Sequence, residues 1–244
     1  MKVSIMQPNI FMWSGLLKSL LDSDYHIILD VVKASKNSRY NRNKIAGNQK
    51  SNWLTIPFLE FSRNNLIKDL RLNTSVESRE KISNLFYSRY KSSPYFEISN
   101  SILKNTINTE KSDLLLLEIY DKFLESLKFL DIKICKTIRA SELISQESCS
   151  NLFGVDLVNY LLDKVKAKTY LASANSLNYA KRSDYFVDEV LIQKFTQSYY
   201  VQTIKGNSKD IEFEGNLSCL DLLSFISLDE LDLYLEKSNK WNKI

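Results

Sequence analysis

Two residues early in the sequence have the clearest capacity for acid–base or recognition chemistry. Gln7 directly follows the apolar run 2–6, and Asp30 closes the next apolar run. A carboxylate in apolar surroundings is costly unless it is paired, and Arg42 or Lys36 is its expected partner. Paired in this way, Asp30 can act as a general base, while the Gln7 amide orients a substrate, so both are catalytic candidates. The structural alternatives are an ion pair for Asp30 and a loop cap for Gln7.

The segment 33–50 concentrates positive charge, with six Lys or Arg residues and no acidic residue. Arg can hold a phosphate through two parallel hydrogen bonds. Lys36, Arg42, Asn43 and Lys44 are therefore candidates to bind a phosphate-bearing ligand, such as a nucleotide sugar or a phosphopantetheine arm. The alternative is a solvated basic loop. Elsewhere Lys and Arg alternate with Asp and Glu for a net charge of +4, so nucleic-acid binding is not expected.

Two further groups of candidate residues stand out. One follows a short apolar run late in the chain, and the other follows the loop after residues 2–6. Ser173, Asn175 and Tyr179 can hydrogen-bond a substrate, but no Gly-x-Ser-x-Gly elbow makes Ser173 a nucleophile. Trp13 can stack on a sugar ring or a base, or belong to the core. Gly15 either lets a ligand approach a helix N-terminus or permits close packing.

The elements that must position these residues alternate between strand and helix. The patterns predict strands at 2–6, 25–32, 53–58, 66–72, 132–138, 169–172, 187–195 and 199–203. They predict helices at 13–21, 78–90, after 96, at 112–130, 151–166, 217–226 and 228–235, and frayed final residues. We expect one α/β domain over 1–244, with a mainly parallel sheet flanked by helices in a Rossmann-like, three-layer architecture. Ligands of such sheets bind beyond the carboxyl ends of the strands, which selects the segment after Met6, the Asp30 region and the Ser173 loop.

The cysteine, histidine and hydropathy patterns argue against a disulfide-rich protein, a metalloprotein and a membrane protein. Cys135, Cys149 and Cys219 form no CxxC pair, which indicates a reducing compartment without a disulfide framework. His26 is the single histidine and lies in an apolar run, so it reads as a strand residue, and no metal site is expected. No signal peptide and no apolar run of about 20 residues is present, so we expect a cytoplasmic protein without a transmembrane segment.

Several segments, in order along nearly the whole chain, resemble the WbqC-like family of bacterial surface-polysaccharide clusters. They are residues 6–15 (MQPNIFMWSG), 41–45 (NRNKI), 53–57 (WLTIP), 94–96 (PYF), 170–173 (YLAS) and 217–223 (LSCLDLL), with a Tyr-x-Gln at 200–202. The resemblance adds Thr55, Tyr95 and Gln202 to the substrate-binding candidates. The family's paired aspartates read Asp30-Val31 here, and its two histidine-containing blocks read 78–82 (SREKI) and 197–198 (QS). This chain therefore cannot carry out any reaction of the family that needs those histidines.

The resemblance implies an enzyme of surface-glycan assembly, for O-antigen, lipopolysaccharide or capsule. The expected reaction is acyl or aminoacyl transfer to the amine of a nucleotide-linked amino sugar. No tightly bound cofactor is expected; acyl-CoA or an acyl-carrier-protein thioester would be the co-substrate, and a homodimer is conceivable. The alternatives are a non-catalytic ligand-binding or scaffold protein of the same pathway, or a diverged nucleotidyl- or glycosyltransferase.

Overall fold

The structure is a computed structural model that describes residues 1–36, 38–47, 50–145, 147–148, 151–178, 180–202 and 213–244. Within these ranges the helices are α1 (Ser14–Asp22), α2 (Val76–Tyr90), α3 (Phe96–Ile107), α4 (Leu116–Phe129), α5 (Ala140–Leu143), α6 (Gly154–Lys164), α7 (Cys219–Phe225) and α8 (Leu228–Ser238). The strands are β1 (Lys2–Met6), β2 (Tyr25–Ile28), β3 (Arg42–Ile45), β4 (Asn52–Thr55), β5 (Phe58–Glu60), β6 (Arg71–Asn73), β7 (Asp113–Leu115), β8 (Lys136–Arg139), β9 (Thr169–Ala172), β10 (Glu189–Phe195) and β11 (Asn239–Lys243).

The centre of the molecule is a six-stranded sheet in the order β11-β10-β9-β1-β2-β8. All neighbouring pairs are parallel except β10 and β11, which confirms the predicted α/β fold with a mainly parallel sheet. The chain builds outward from β1 in one direction through β2 and β8, and later in the other direction through β9 and β10. The strand order therefore reverses between β1 and β9.

Side-chain alternation divides the sheet between two hydrophobic cores. Val3, Ile5 and Ile27 pack with α6 on one face. Ile28, on the opposite face, joins the core that contains the apolar side of α1 and the helices α2–α4. Because successive strand residues point to opposite faces, this parity places helices on both sides of the sheet.

A long insertion, residues 29–135, separates β2 from β8. It contains the β3–β4 hairpin, the small antiparallel sheet β5-β6-β7 and the helices α2–α4. Large buried side chains, among them Phe86, Tyr90, Tyr120 and Phe123, join these helices to α7. The insertion thus extends one of the two cores and covers one side of the carboxyl edge of the sheet.

Several sequence expectations differ from the structure. The predicted strand 25–32 ends at Ile28, the predicted strand 66–72 has a 3-10 helix at Ile67–Asp69 ahead of β6, and the predicted helix 112–130 is preceded by strand β7. The basic segment 33–50 contains strand β3, the predicted strand 132–138 begins only at Lys136, and residues 199–202 lie outside any strand. Residues 239–243, expected to be frayed, form the edge strand β11, which pairs with β10 from Asn239 to Lys243. Long-range pairing decides these cases, because strand preference depends on the neighbouring strand more than on local sequence.

No helix among the described residues is both long and apolar enough to cross a membrane.

Candidate functional site

A cleft opens at the carboxyl edge of the sheet, where the strand order reverses between β1 and β9. It consists of two adjoining cavities with volumes of about 750 Å³ and 300 Å³. Met6 and Asn9 after β1, Ser173 after β9, and Arg39 line both cavities. Adjacent parallel strands that connect in opposite directions leave such a crevice, which is the usual ligand position in open α/β sheets.

Amide side chains dominate the polar lining of the cleft. They are Gln7, Asn9, Asn175, Gln193, Asn216 and Asn242. The predicted residues Gln7, Ser173 and Asn175 therefore do lie together. The Gln7 amide makes no hydrogen bond within the described part of the chain. Amides and hydroxyls can both donate and accept, which suits them to sugar hydroxyls or a nucleobase.

Trp13 forms one wall of the larger cavity. Its indole meets the Phe195 ring edge-to-face, with centroids 5.2 Å apart and planes at 84°. The same indole lies over Gly15, where an added Cβ would be 2.2 Å from Trp13 Cη2. Of the two roles open for Gly15, the geometry supports close packing. The Gly15 carbonyl also accepts a hydrogen bond of 2.7 Å from buried Gln193, which ties helix α1 to β10.

Arg39 is the cation that faces both cavities. Its Nη1 donates a long hydrogen bond of 3.4 Å to Asn43 Oδ1, and it forms no ion pair with any described residue. The side-chain nitrogen of Asn9 donates a hydrogen bond of 3.1 Å to the Arg39 carbonyl oxygen. Lys194 is a second cation of the lining, and the described lining holds no carboxylate. The cleft is therefore electropositive.

Arg39 was missed by the sequence reasoning, which placed the phosphate contacts at Arg42 and Lys44. Those residues lie on the outer face of the β3–β4 hairpin. The Arg42 guanidinium stacks over the Trp53 ring at 4.4 Å, and Lys44 pairs with Glu214 at 3.7 Å. The basic composition of 33–50 was the available signal, but it could not say which cation turns inward.

Asn43, also predicted to bind substrate, is buried and holds the first loop in place. Its Nδ2 donates to the Phe11 carbonyl at 2.8 Å, and its Oδ1 accepts from the Lys44 amide at 2.9 Å. Phe11 has a positive φ of 58°, a conformation that is uncommon outside glycine. Asn43 thus stabilises a strained turn between β1 and Trp13.

Asp30 is fully buried beyond β2, and its partner differs from the expectation. The carboxylate accepts hydrogen bonds from Ser141 N at 2.9 Å and from Ser141 Oγ at 2.6 Å, rather than from Arg42 or Lys36. Neither cavity of the cleft is lined by Asp30. The contact joins the insertion to helix α5, so the geometry favours a structural role, and the catalytic role of Asp30 stays a prediction.

Gln202 belongs to a buried polar cluster away from the cleft. Its Nε2 donates to Asp221 Oδ2 at 3.0 Å, and the hydroxyls of Tyr90 and Tyr200 donate to the same carboxylate. Burial raises the pKa of Asp221 above its ordinary value, and the three hydrogen bonds oppose that rise. The Tyr90 hydroxyl also accepts from the Ala46 amide at 3.0 Å. Two family-like segments, 200–202 and 217–223, therefore meet here as a structural anchor.

The remaining candidates are scattered. Lys36 is exposed, Thr55 lies beside Trp53 in a separate surface pocket, and the Tyr95 amide donates to the Ser224 carbonyl at 3.1 Å at the start of α3. Tyr179 lies outside the described residues. None of the other three lines the cleft.

His26 is a buried residue of β2, as predicted. Its Nδ1 lies 2.8 Å from Ser4 Oγ, and burial lowers its pKa to about 3. The imidazole is therefore neutral at physiological pH and distant from the cleft lining. Cys135 and Cys219 are free thiols, and Cys149 lies outside the described residues. Among the described residues, no group of three His, Cys, Asp or Glu side chains is placed to hold a metal ion.

Comparison with known proteins places the chain in a family. The model of the WbqC-like protein family matches residues 7–233, which include most of the cleft lining, the insertion and the Asp221 cluster. No curated protein and no solved structure matches the chain. The chain belongs to the WbqC-like protein family.

Proposed function

We propose that this protein binds a nucleotide-linked amino sugar in the cleft and acts in bacterial surface-glycan assembly. One observation carries the proposal: an electropositive, amide-lined crevice stands at the reversal point of a parallel sheet. The order β8-β2-β1-β9-β10, with its reversal between β1 and β9, supports a Rossmann-like assignment, and sheets of that kind commonly bind nucleotides at such a point. Arg39 would hold phosphate, Trp13 would stack on a ring, and the amides would contact sugar hydroxyls.

The reaction that we propose is acyl or aminoacyl transfer from a thioester, such as acyl-CoA or an acyl-carrier-protein thioester, to the amine of the bound sugar. The neutral amine of the sugar would attack the thioester carbonyl, so that an amide C–N bond forms as the C–S bond breaks, and the thiol of coenzyme A or of the carrier leaves with the proton that the amine loses. This reaction needs the two substrates to be held close together and needs no protein nucleophile. Positioning alone can contribute about 7–11 kcal/mol to a bimolecular reaction. Gln7, Ser173 and Asn175 are suited to this role because they surround the cleft at the strand ends.

A second candidate, a ligand-binding protein without catalysis, is favoured by the same lining. No described residue of the cleft is a carboxylate or an imidazole. Asp30 and His26, two groups with base chemistry close in sequence to the cleft-lining Leu29, are buried and hydrogen-bonded internally. Binding of a nucleotide sugar without turnover of any acyl donor would favour this function.

The test is calorimetric titration with a panel of UDP-, GDP-, CDP- and dTDP-linked amino sugars. A hydrogen bond to a charged group is worth about 1.5–3 kcal/mol, so Arg39→Gln should weaken binding by roughly 10- to 150-fold. Arg63→Gln is the matched control, because Arg63 is exposed and does not line the cleft, and the affinity of this variant should stay within about twofold of the parent.

Mass spectrometry of the titrated mixtures with acyl-CoA added then separates the reactions. An N-acylated nucleotide sugar indicates acyl transfer, whereas release of free nucleotide indicates glycosyl transfer. The binding proposal is refuted if no member of the panel binds, or if Arg39→Gln binds as well as the parent.

A further inference from the structure

A cavity separate from the cleft opens at the same carboxyl edge of the sheet, on the other side of the segment 29–31. Leu29 lines the nucleotide-sugar cleft, whereas Val31 lines this second cavity, which has a volume of about 630 Å³. Ser141, just after β8, stands at its wall. The two cavities thus flank one short segment of backbone beyond β2.

The walls of this cavity are mainly aliphatic. It is lined by Val31, Val32, Leu66, Ile144, Leu152 and Leu157, together with Phe153. Such a lining offers a sugar or a nucleotide few hydrogen bonds, and burying their polar groups there would be costly. A flexible hydrocarbon chain would instead gain from leaving water.

Two lysines give the cavity a positive charge. Lys33 and Lys68 line it, no carboxylate does, and neither lysine forms an ion pair with a described residue. The backbone around them is held in place, because Lys68 N donates to the Asp30 carbonyl at 2.9 Å and Lys33 bridges to Leu66. The Asp30 carboxylate accepts its hydrogen bonds from Ser141. The lysines are therefore available to an anion from outside.

We propose that this cavity binds an acyl chain that carries an anionic group, with the chain against the aliphatic walls and the anion at Lys33 and Lys68. The inference rests on the proposed function in one respect: it supplies the acyl-donor site that transfer to a sugar amine requires. Two sources share this chemistry, a free fatty acid with its carboxylate and an acyl-phosphopantetheine with its phosphate.

The first experiment is calorimetric titration of the intact protein with straight-chain carboxylates from hexanoate to dodecanoate. Burial of a methylene is worth about 0.8 kcal/mol, so each added carbon should tighten Kd roughly fourfold until the cavity is full. Methyl decanoate, which lacks the charge, should bind at least about tenfold more weakly than decanoate. Absence of chain-length dependence would overturn the proposal whatever any variant does.

The second experiment reverses the charges. The double variant Lys33→Glu/Lys68→Glu should weaken decanoate binding at least about tenfold and bring it to the level of the methyl ester. Lys168→Glu is the matched control: Lys168 is also exposed but precedes β9, at the opposite edge of the sheet, and its Kd should be unchanged. Unchanged decanoate binding by the double variant would overturn the assignment of the anion site.

Cross-titration separates this inference from the proposed function. The double lysine variant should keep its affinity for the nucleotide sugar, and Arg39→Gln should keep its affinity for decanoate. Nucleotide-sugar binding without decanoate binding would refute only the acyl site. S-decanoyl-4′-phosphopantetheine binding more tightly than decanoate would identify a thioester as the source, and the reverse order would identify a free acid.

Discussion

Gly15→Ala is the sharpest test of how the cleft wall is built. An alanine Cβ would lie 2.2, 2.4 and 2.7 Å from three atoms of the Trp13 ring. Carbon atoms pack at about 3.5–4.0 Å, so the indole must move by roughly 1.3 Å or more. Overpacking costs about 1–3 kcal/mol, and loss of the edge-to-face contact with Phe195 costs about 0.5–1.5 kcal/mol. The better helix propensity of alanine offsets about 1 kcal/mol of this cost, so the free energy of unfolding should fall by about 2 kcal/mol.

The assay is urea denaturation followed by circular dichroism, with tryptophan emission recorded on the native protein. We expect a lower midpoint with an unchanged slope, a shifted emission and weaker nucleotide-sugar binding, because the displaced indole enters the cleft. Gly215→Ala is the control, since its added Cβ would lie 3.7 Å from its nearest neighbours, Gln197 and Phe213, which is an ordinary contact distance. A Gly15→Ala protein with the stability and emission of the parent would refute the packing argument.

Three further predictions concern the buried polar groups. Tyr200→Phe removes a donor to the buried Asp221 carboxylate and should lower the free energy of unfolding by about 1.5–3 kcal/mol in urea. The folded state keeps His26 neutral down to about pH 3, whereas the unfolded state takes up the proton near pH 6.5, so this group's contribution to stability falls as the pH falls. That contribution should decrease by about 2 kcal/mol between pH 7 and pH 5, and His26→Asn should abolish it. Asp30→Asn should stay within about 1 kcal/mol of the parent and bind nucleotide sugars normally, because the Ser141 hydroxyl can change from donor to acceptor.

Each of these predictions has its own control. Tyr199→Phe alters an exposed ring beside Tyr200 and should leave the urea midpoint unchanged. A pH dependence that survives in His26→Asn would assign the effect to carboxylates instead. Loss of acyl transfer in a folded Asp30→Asn protein would contradict a purely structural Asp30 and identify it as the general base.

Local patterns were sufficient for elements whose partners are close in sequence. The β1–α1–β2 unit and β9 occur where hydrophobic periodicity predicts them, and His26 is a strand residue as expected. The helix predicted at 78–90 is present but begins at Val76, with Ser75 rather than Ser78 accepting the capping hydrogen bond. Two serines three residues apart, Ser75 and Ser78, are both possible N-caps, and the sequence alone cannot show which of them the tertiary structure leaves outside the helix.

The cleft was only partly predictable. The rule that ligands bind beyond strand ends correctly grouped Gln7 and Ser173. It could not separate Arg39 from Arg42, because the direction of each side chain depends on the β3–β4 hairpin, and the strand β3 was not predicted from the sequence. It also could not show that Asp30 turns toward Ser141, more than a hundred residues later in the sequence.

The pairing of β1 with β9 also has a consequence for the order of folding. The cleft lies between β1, which is made early in synthesis, and β9. The two strands pair Lys2 with Thr169, a contact of very long sequence separation. Such contacts form late, because the loop-closure entropy must be overcome before the pairing stabilises the chain. Contacts between α3 and α4 within the insertion join residues closer in sequence and can form beforehand. Acquisition of ligand binding during refolding should therefore lag behind the helical circular dichroism signal.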